Sequence, residues 1–516
     1  MSRILILLMF VFWLAWKPGY SLPTTLGAAP SLAIFLGAYF LLVIGTGIWS
    51  RLLGDRLAVG NFNRSLNRLN KVLFAARIFV PLWFIVGMFL FGWAEDVGRI
   101  LRHSHFDLTQ TLPGIILGTL PAFVAWAGLW WSQYPADIAF REQGIVSQFE
   151  GYLPVHKPPT FRSYFASNVR LQLLFMVVPV LVISLLHDLL RLGATMTVGT
   201  RWELNNAENP VTWLIAAGLI FLFAPEILRR VLHTEPLPNG PLRRRLEALC
   251  RRTGVRYREI LLWKTQNNLG NAAVMGFIPQ VRYILLSDLL VETMDDEQIE
   301  AVFAHELGHV VHKHMAWLVV FFVVLTLLVV AGGAWIEKWM GNAGIKEGPA
   351  QGIVIAVAYL LKFFLLFGFV SRRFERQADV FAARTMELSR ASVPNSSASD
   401  MLIAARQLSL ATCAPSPKIA LAPPRPHGPE SGHVGNYGAT VFGSALHRVA
   451  VMNNIPVRAR SWCHGSIATR MQYLRDLSTD PARTQRFDRF MLFLYGALIF
   501  GLFAGAAFCW ASNAIP

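Results

Sequence analysis

A chain of 516 residues with 54% hydrophobic and only 15% charged residues lies outside the range of one soluble globular domain. Its formal charge of +16 invites a nucleic-acid partner, but the charge gathers in a few connecting segments and no RNA- or DNA-binding motif accompanies it. What remains is a polytopic membrane protein whose basic loops face anionic lipid.

In chain order, a short apolar segment at 4–16 follows Arg3 and reads as an N-terminal anchor or a cleaved signal peptide. The anchor is preferred, because no small-x-small cleavage site follows. Apolar runs at 31–48, 72–93, 112–131, 171–186, 211–224, 315–335, 353–370 and 491–510 predict eight spanning helices. Most approach the roughly 17 to 25 apolar residues that a span needs. The run 211–224 is the weakest, and it leads into Glu226, Arg229 and Arg230, a basic end suited to the interface. Lys and Arg favour cytoplasmic loops, and here they alternate. Arg51, Arg56, Arg64, Arg68 and Lys71 put the first loop inside; Glu95, Asp96 and Asp107 beside Arg99 and Arg102 put the second outside. Continued along the chain, the rule makes 229–314 and 371–489 cytoplasmic. The four cysteines, Cys250, Cys413, Cys463 and Cys509, are scattered and predict no disulfide framework.

The expected fold class is mainly α: a polytopic helical membrane protein with a cytoplasmic-facing helical domain that contains a small β-hairpin. Five regions are expected: a membrane region 1–227, a first half of the cytoplasmic domain 228–314, two membrane helices in 315–370, a second half 371–489 and a C-terminal membrane helix 490–516. Within the first half, 242–252 reads as a basic amphipathic helix stopped by Gly254. Strands at 272–277 and 282–286, four residues apart, read as a hairpin. A short helix covers 287–294. Asp295 then offers an N-cap and Gln298 a capping-box partner, so a new helix starts near Asp296 and runs to the membrane at Met315. In the second half, helix continues from the span to 386. Segment 390–460 is rich in Pro, Ser, Ala and Gly and reads as a mobile loop with one helix at 399–410; helix returns at 466–477.

The chemistry is concentrated in His305-Glu306-Leu307-Gly308-His309. Residues four apart share a helix face, so His305 and His309 can direct two imidazoles at one metal with Glu306 beside them. Glu306 in that place takes a proton from water and returns it to the leaving amine. Gly308 lets another backbone approach, while Ile299, Val302 and Phe303 supply a buried face. His312 and His314 break the i, i+4 spacing from His309 and read as interfacial polar residues. A third ligand must come from elsewhere, and the best candidate is Glu375 in Phe374-Glu375-Arg376-Gln377-Ala378-Asp379. Asp379, one turn on, can hold a ligand histidine through its second nitrogen. The alternative for that segment is a surface helix in which Glu375 and Asp379 balance Arg372, Arg373 and Arg376.

His-Glu-Leu-Gly-His followed across two membrane helices by Phe-Glu-Arg-Gln-Ala-Asp resembles the integral-membrane gluzincins, which include the type I CAAX prenyl endopeptidases and the bacterial HtpX-like quality-control peptidases. The resemblance covers 237–384 and returns at 464–474. It implies one zinc ion per chain held by His305, His309 and Glu375, with Glu306 as base and Asp379 behind the ligands. It further implies that Asn271 and Ala272 lie on a strand that pairs with extended substrate. His464 would polarise the scissile carbonyl, and Arg470, a basic position downstream, would join the substrate-binding set. Two features depart from the family: Gly465 stands where proline is usual, and the apolar segments exceed the seven expected of a prenyl endopeptidase.

The implied function is membrane-embedded, zinc-dependent endopeptidase activity on membrane-associated, lipid-modified or extended peptides. The implied place is the cytoplasmic side of a bacterial cell membrane, with the bilayer as a second partner and nucleic acid as none. The rival from another class is a polytopic transporter or chamber-forming binding protein with a structural zinc site. Transport paths place ionisable residues within spans, and here Arg77 and Lys362, both able to snorkel, are the clear cases.

Overall fold

The computed structural model of the chain describes Met9, Trp13 and residues 27–58, 62–102, 111–150, 158–196, 210–267, 269–342, 349–392, 433–453, 455–459 and 461–511. The expected anchor at 4–16, apart from Met9 and Trp13, and the expected helix at 399–410 lie outside the described residues.

The chain runs α1 (Ala28–Ala58), α2 (Phe62–Leu90), α3 (Trp93–Ile100), α4 (Leu112–Glu150), α5 (Phe161–Asn168), α6 (Phe175–Met196), α7 (Pro210–Val231), β1 (Thr234–Pro236) and α8 (Pro241–Thr253). It continues through β2 (Glu259–Trp263), β3 (Ala272–Met275), β4 (Tyr283–Ser287), α9 (Asp288–Thr293), α10 (Asp296–Val311), α11 (His314–Asn342) and α12 (Pro349–Ser392). The last elements are α13 (Asn436–Met452), α14 (Ile467–Thr479) and α15 (Pro481–Ala511). Seven of the eight apolar runs fall on helix throughout, and the run 72–93 leaves helix only at Phe91 and the left-handed Gly92. Among the described residues, five stretches are long and apolar enough to cross a membrane: Ala28–Asp55, Lys71–Leu90, Leu112–Ala139, Phe161–Gly193 and Pro481–Phe508. The pair Asp296–Val311 and His314–Leu328, bent by 48°, would make a sixth. The bend coincides with Lys313, which stands in the left-handed region at φ 53. That conformation interrupts the regular helix between the end of α10 and the apolar run of α11.

Two compact units divide the described fold. The first comprises 1–236, 258–269 and 275–293. Its membrane part is cored by aromatic side chains: Trp126, Trp130, Phe84 and Phe35 are fully buried. Two ring polar groups in this core pair with backbone: Tyr39 Oη donates to Val80 O at 3.0 Å and Trp93 Nε1 to Gly118 O at 2.8 Å. Arg77 donates to Gln133 at 3.0 Å. In this unit β2 pairs antiparallel with β1 and parallel with β4, in the register Ile260↔Ile284 and Leu261↔Leu285. The hairpin reading of 282–286 is therefore incomplete. Its strand pairs in parallel with β2, which had no forecast, because a parallel partner lies a long crossover away and leaves no turn signal in the sequence.

The second unit comprises 237–257, 270–274 and 294–516. Helix α8 begins with Pro241 at its first position and ends on left-handed Gly254 at φ 69, as its sequence predicts. Helix α10 begins at Asp296 as expected, but the capping box does not form: Asp295 makes no side-chain cap bond, and Gln298 Nε2 donates to Ser444 Oγ at 3.2 Å. Asp296 and Glu297 in the first turn oppose the helix dipole instead, and Arg245 bonds both Asp296 and Glu300. Segment 390–460 is corrected as well. Its described part holds the 17-residue helix α13, which buries Ala439, Phe442, Leu446 and Ala450 along one face.

Candidate metal centre

Two helices build the site. On α10, His305 and His309 project from one face with their Nε2 atoms 3.3 Å apart. Glu375 on α12 reaches both, with Oε2 3.6 Å from His305 Nε2 and Oε1 3.7 Å from His309 Nε2. The contact depends on Gly308. A Cβ there would stand 3.1 Å from Ala378 Cα and 3.3 Å from Phe381 Cβ, tighter than packed side chains normally come. The missing side chain lets α12 lie close enough for its carboxylate to meet the imidazoles.

One donor atom from each of His305, His309 and Glu375 lies within 4.8 Å of the others. This donor set fits zinc: ligand atoms about 2.0–2.1 Å from a tetrahedral ion are roughly 3.3 Å apart, the separation of the two Nε2 atoms. The electrostatics also suit a cation. His305 is buried, which by itself disfavours its protonated form, yet contacts with Asp379 and Glu375 prevail and push its pKa up to about 9. His309, buried and beside His305, is pushed down to about 4. Glu375 sits well below the usual carboxylate range, because His305 and His464 outweigh the cost of its burial. The pocket thus gathers positive charge, and a proton on His305 occupies the role that a metal ion takes in competition with protons.

The atoms behind the imidazoles set their tautomers. His305 Nδ1 is 3.0 Å from Asp379 Oδ1, and Asp379, fully buried, accepts from Arg470 Nε at 2.9 Å and Nη2 at 2.5 Å. A carboxylate at Nδ1 keeps the proton there and leaves the Nε2 lone pair facing the centre. Despite burial, Arg470 holds Asp379 below its ordinary pKa. On the other ligand, His309 Nδ1 is 2.9 Å from His314 Nδ1, and His314 Nε2 is 2.9 Å from Gln377 Oε1. An amide oxygen accepts, so His314 carries its proton on Nε2 and its Nδ1 accepts from His309. The Nε2 of His309 is then unprotonated as well. Tyr495 Oη closes the chain by donating to Gln377 Oε1 at 2.5 Å.

Glu306 leaves α10 beside the two histidines, and its carboxylate is bonded by the backbone N–H of Val274 on β3. Burial first, with Glu375 adding repulsion, pushes its pKa up to about 7, against His305 and the Val274 bond. That is a range in which a carboxylate can both take and give a proton near neutral pH. The strand with Asn271 and Ala272 is tied down just before its start: Gly270 N–H donates to Asn453 Oδ1 at 2.9 Å, and Asn453 Nδ2 donates to Gly270 O at 2.7 Å. Asn271 is exposed and the Ala272 side chain is buried, so Ala272 can meet a ligand only through its backbone. His464 is half-exposed, with Nδ1 2.9 Å from Glu375 Oε1. It sits in a tight turn closed by Ser461 N–H to Gly465 O at 3.0 Å and Gly465 N–H to Ser461 O at 2.9 Å. Gly465 has φ 75, which the proline usual at this position cannot adopt.

Residues 236–417 match the sequence profile of Peptidase family M48. The chain is 30% identical over 159 residues to the CAAX prenyl protease 1 homolog of Oryza sativa subsp. japonica, covering 28% of this chain and 37% of that protein. It is 25% identical over 176 residues to the Protease HtpX homolog of Aeropyrum pernix, covering 33% of this chain and 54% of that protein. Each match thus spans less than two thirds of the relative. The crystal structure of S. mikatae Ste24p superposes with a TM-score of 0.47 at 14% identity, over 86% of this chain and 99% of that one.

The M48 segment contains His305, Glu306, His309, Glu375 and Asp379, whereas His464 and Arg470 lie beyond it. Arg470, expected in the substrate-binding set, donates from Nε and Nη2 to Asp379, lies 3.9 Å from Glu375 Oε2 and has a side chain 13% exposed, which makes it a buttress of a ligand histidine. His314, Gln377 and Phe442 were missed. His314 is five residues from His309, a spacing that points away on a straight helix, and only the 48° bend turns it back. Phe442, whose ring stacks on His305 at 5.6 Å, lies on the unforecast α13.

Proposed function

We propose that the chain is a membrane-embedded zinc endopeptidase acting on membrane-associated, lipid-modified or extended peptides at the cytoplasmic face of a bacterial cell membrane. The observation that carries this reading is the convergence of His305, His309 and Glu375 within 4.8 Å, with the Glu306 carboxylate beside them. His305, His309 and Glu375 hold one zinc ion. When bound there, zinc acts as a Lewis acid and lowers the pKa of water to about 7.

The remaining work falls to the chain's own residues. Glu306 accepts a proton from the attacking water and delivers it to the amide nitrogen as the peptide bond breaks. The Val274 N–H holds the Glu306 carboxylate in place for both transfers. Backbone groups near Asn271 and Ala272 pair with an extended substrate as an added strand, which aligns the peptide without reading its sequence. His464, reachable from solvent, donates to the oxygen on which negative charge develops. Asp379 with Arg470, and His314 with Gln377, keep both ligand histidines in one tautomer. In this reading 228–314 and 371–489 form the peptidase halves, and 1–227, 315–370 and 490–516 form the membrane part.

The test uses purified full-length protein. Wild type should retain close to one zinc per chain and cleave unstructured peptide, while Glu306→Gln should retain zinc and lose about 10²–10⁴-fold in rate. Zinc-free wild type, or a Glu306→Gln variant with undiminished cleavage, would overturn the reading. The rice relative's name specifies prenyl substrates. Paired peptides with and without a C-terminal prenyl group would test that narrower substrate class.

A further inference from the structure

A cavity of about 400 Å³ in the second unit is lined by Arg373 and Arg376 of α12, Tyr473 of α14, and Arg483, Arg486 and Phe490 of α15. None of the metal-centre residues lines it. Its arginines fall into two pairs. Arg483 lies 3.1 Å from Asp476 and 3.5 Å from Asp480, and Arg486 lies 3.5 Å from Asp480. Arg373 and Arg376 have no carboxylate within ion-pair distance among the described residues. They rest on ring faces instead: Arg373 Cζ is 4.9 Å from the Phe369 ring and 5.1 Å from the Phe490 ring, and Arg376 Cζ is 4.9 Å from the Tyr473 ring.

Ring faces steady a guanidinium but accept none of its in-plane hydrogen bonds. Arg373 Nε is buried with no hydrogen-bond partner among the described residues. Such a donor costs free energy until an acceptor arrives. Two forked cations on one wall of a cavity match the oxygen atoms of a phosphate, which guanidinium binds in a bidentate manner.

Position decides where the phosphate comes from. Arg373 follows the apolar run 353–370 by three residues, and Arg486 precedes the run 491–510 by five, each within a continuous helix. At about 1.5 Å per residue, both guanidinium groups lie within about 10 Å of the end of the hydrocarbon region. The helix surfaces next along each run are apolar and uncovered: Phe369 is 38% exposed, Leu492 71% and Phe493 72%. A free phosphate has no use for that surface, whereas acyl chains do.

We propose that this cavity binds the headgroup phosphate of an anionic phospholipid, with the acyl chains lying along Phe369, Leu492 and Phe493. The site is independent of the peptidase reading. Arg376 directly follows Glu375 on α12, so a bound lipid would hold that helix where it leaves the membrane.

The test is native mass spectrometry of the full-length protein exchanged into detergent with equal amounts of phosphatidylglycerol and phosphatidylcholine of identical chains. Wild type should retain phosphatidylglycerol in preference, and Arg373→Gln/Arg376→Gln should lower that retention about 30-fold, as expected for two cations near an anionic surface. Phosphatidylcholine retention should not change. Equal retention of the two lipids by wild type overturns the proposal. So does displacement of phosphatidylglycerol by millimolar inorganic phosphate, which would mark a free-phosphate site. If the double variant does not fold, Arg376→Gln alone should still weaken the preference, and the wild-type comparison decides the question by itself.

Discussion

Replacing His314 with Phe isolates the contribution of the atoms behind His309. The His314 ring is 2% exposed and stacks on Phe374 at 4.5 Å with an interplanar angle of 2°, so a phenyl ring keeps the shape and the stack. What disappears is the acceptor 2.9 Å from His309 Nδ1 and the donor 2.9 Å from Gln377 Oε1. Without that acceptor the His309 proton can move to Nε2, the atom that faces His305 and Glu375, and removes a lone pair from the donor set. Gln377 Oε1 still receives the Tyr495 hydroxyl at 2.5 Å, so the amide is not stranded. Loss of a partner of this kind weakens metal binding about 10–100-fold, or roughly 1.4–2.7 kcal/mol. Competition with a chromophoric chelator reads the affinity, and a thermal melt of metal-free protein separates it from any loss of fold. His314→Asn, which offers an oxygen near the lost Nδ1, should recover part of the affinity. Wild-type zinc affinity in His314→Phe, with an unchanged metal-free melt, would refute the argument from tautomers.

Asp379→Ala strands the buried Arg470, and removing one partner of such a pair should cost about 3–5 kcal/mol; chemical denaturation would measure it, and zinc affinity should fall alongside. In Gly308→Val the new side chain meets the α12 backbone, for which the first atom alone has only 3.1 Å. Separation of α10 from α12 should cost about 1–3 kcal/mol and lower zinc stoichiometry, whereas full occupancy at wild-type stability would contradict the close-approach account. For pH, Glu306 must be ionised to act as base, and burial pushes its pKa up to about 7. Because the folded pKa is raised, kcat/KM should fall about tenfold per unit as pH drops below it. A bound cation favours the ionised form, so the acid limb should lie at or below about pH 7. A limb above about pH 8 in the rate profile would count against Glu306 as the base.

Local and periodic features were legible in the sequence alone. The apolar runs became helices because length and hydropathy are properties of a contiguous segment. Helix α8 stops at Gly254 and α10 starts at Asp296 because a left-handed stop and an acidic first turn need only neighbouring residues. His305 and His309 share a face by helix period. Tertiary structure decided what period and composition do not encode. The parallel partner of β4 is β2, a strand reached across a long crossover. Helix α13 escaped notice because its buried face is largely Ala and Gly, whose small side chains leave a weak hydropathy signal, although its Phe442 stacks on His305. Arg470 pairs with Asp379 because a fully buried carboxylate requires a charged partner. The same division holds at the metal centre: helix period placed two donors together, but only the packing of α12 against Gly308 brought Glu375 to them, and only the 48° bend set His314 behind His309.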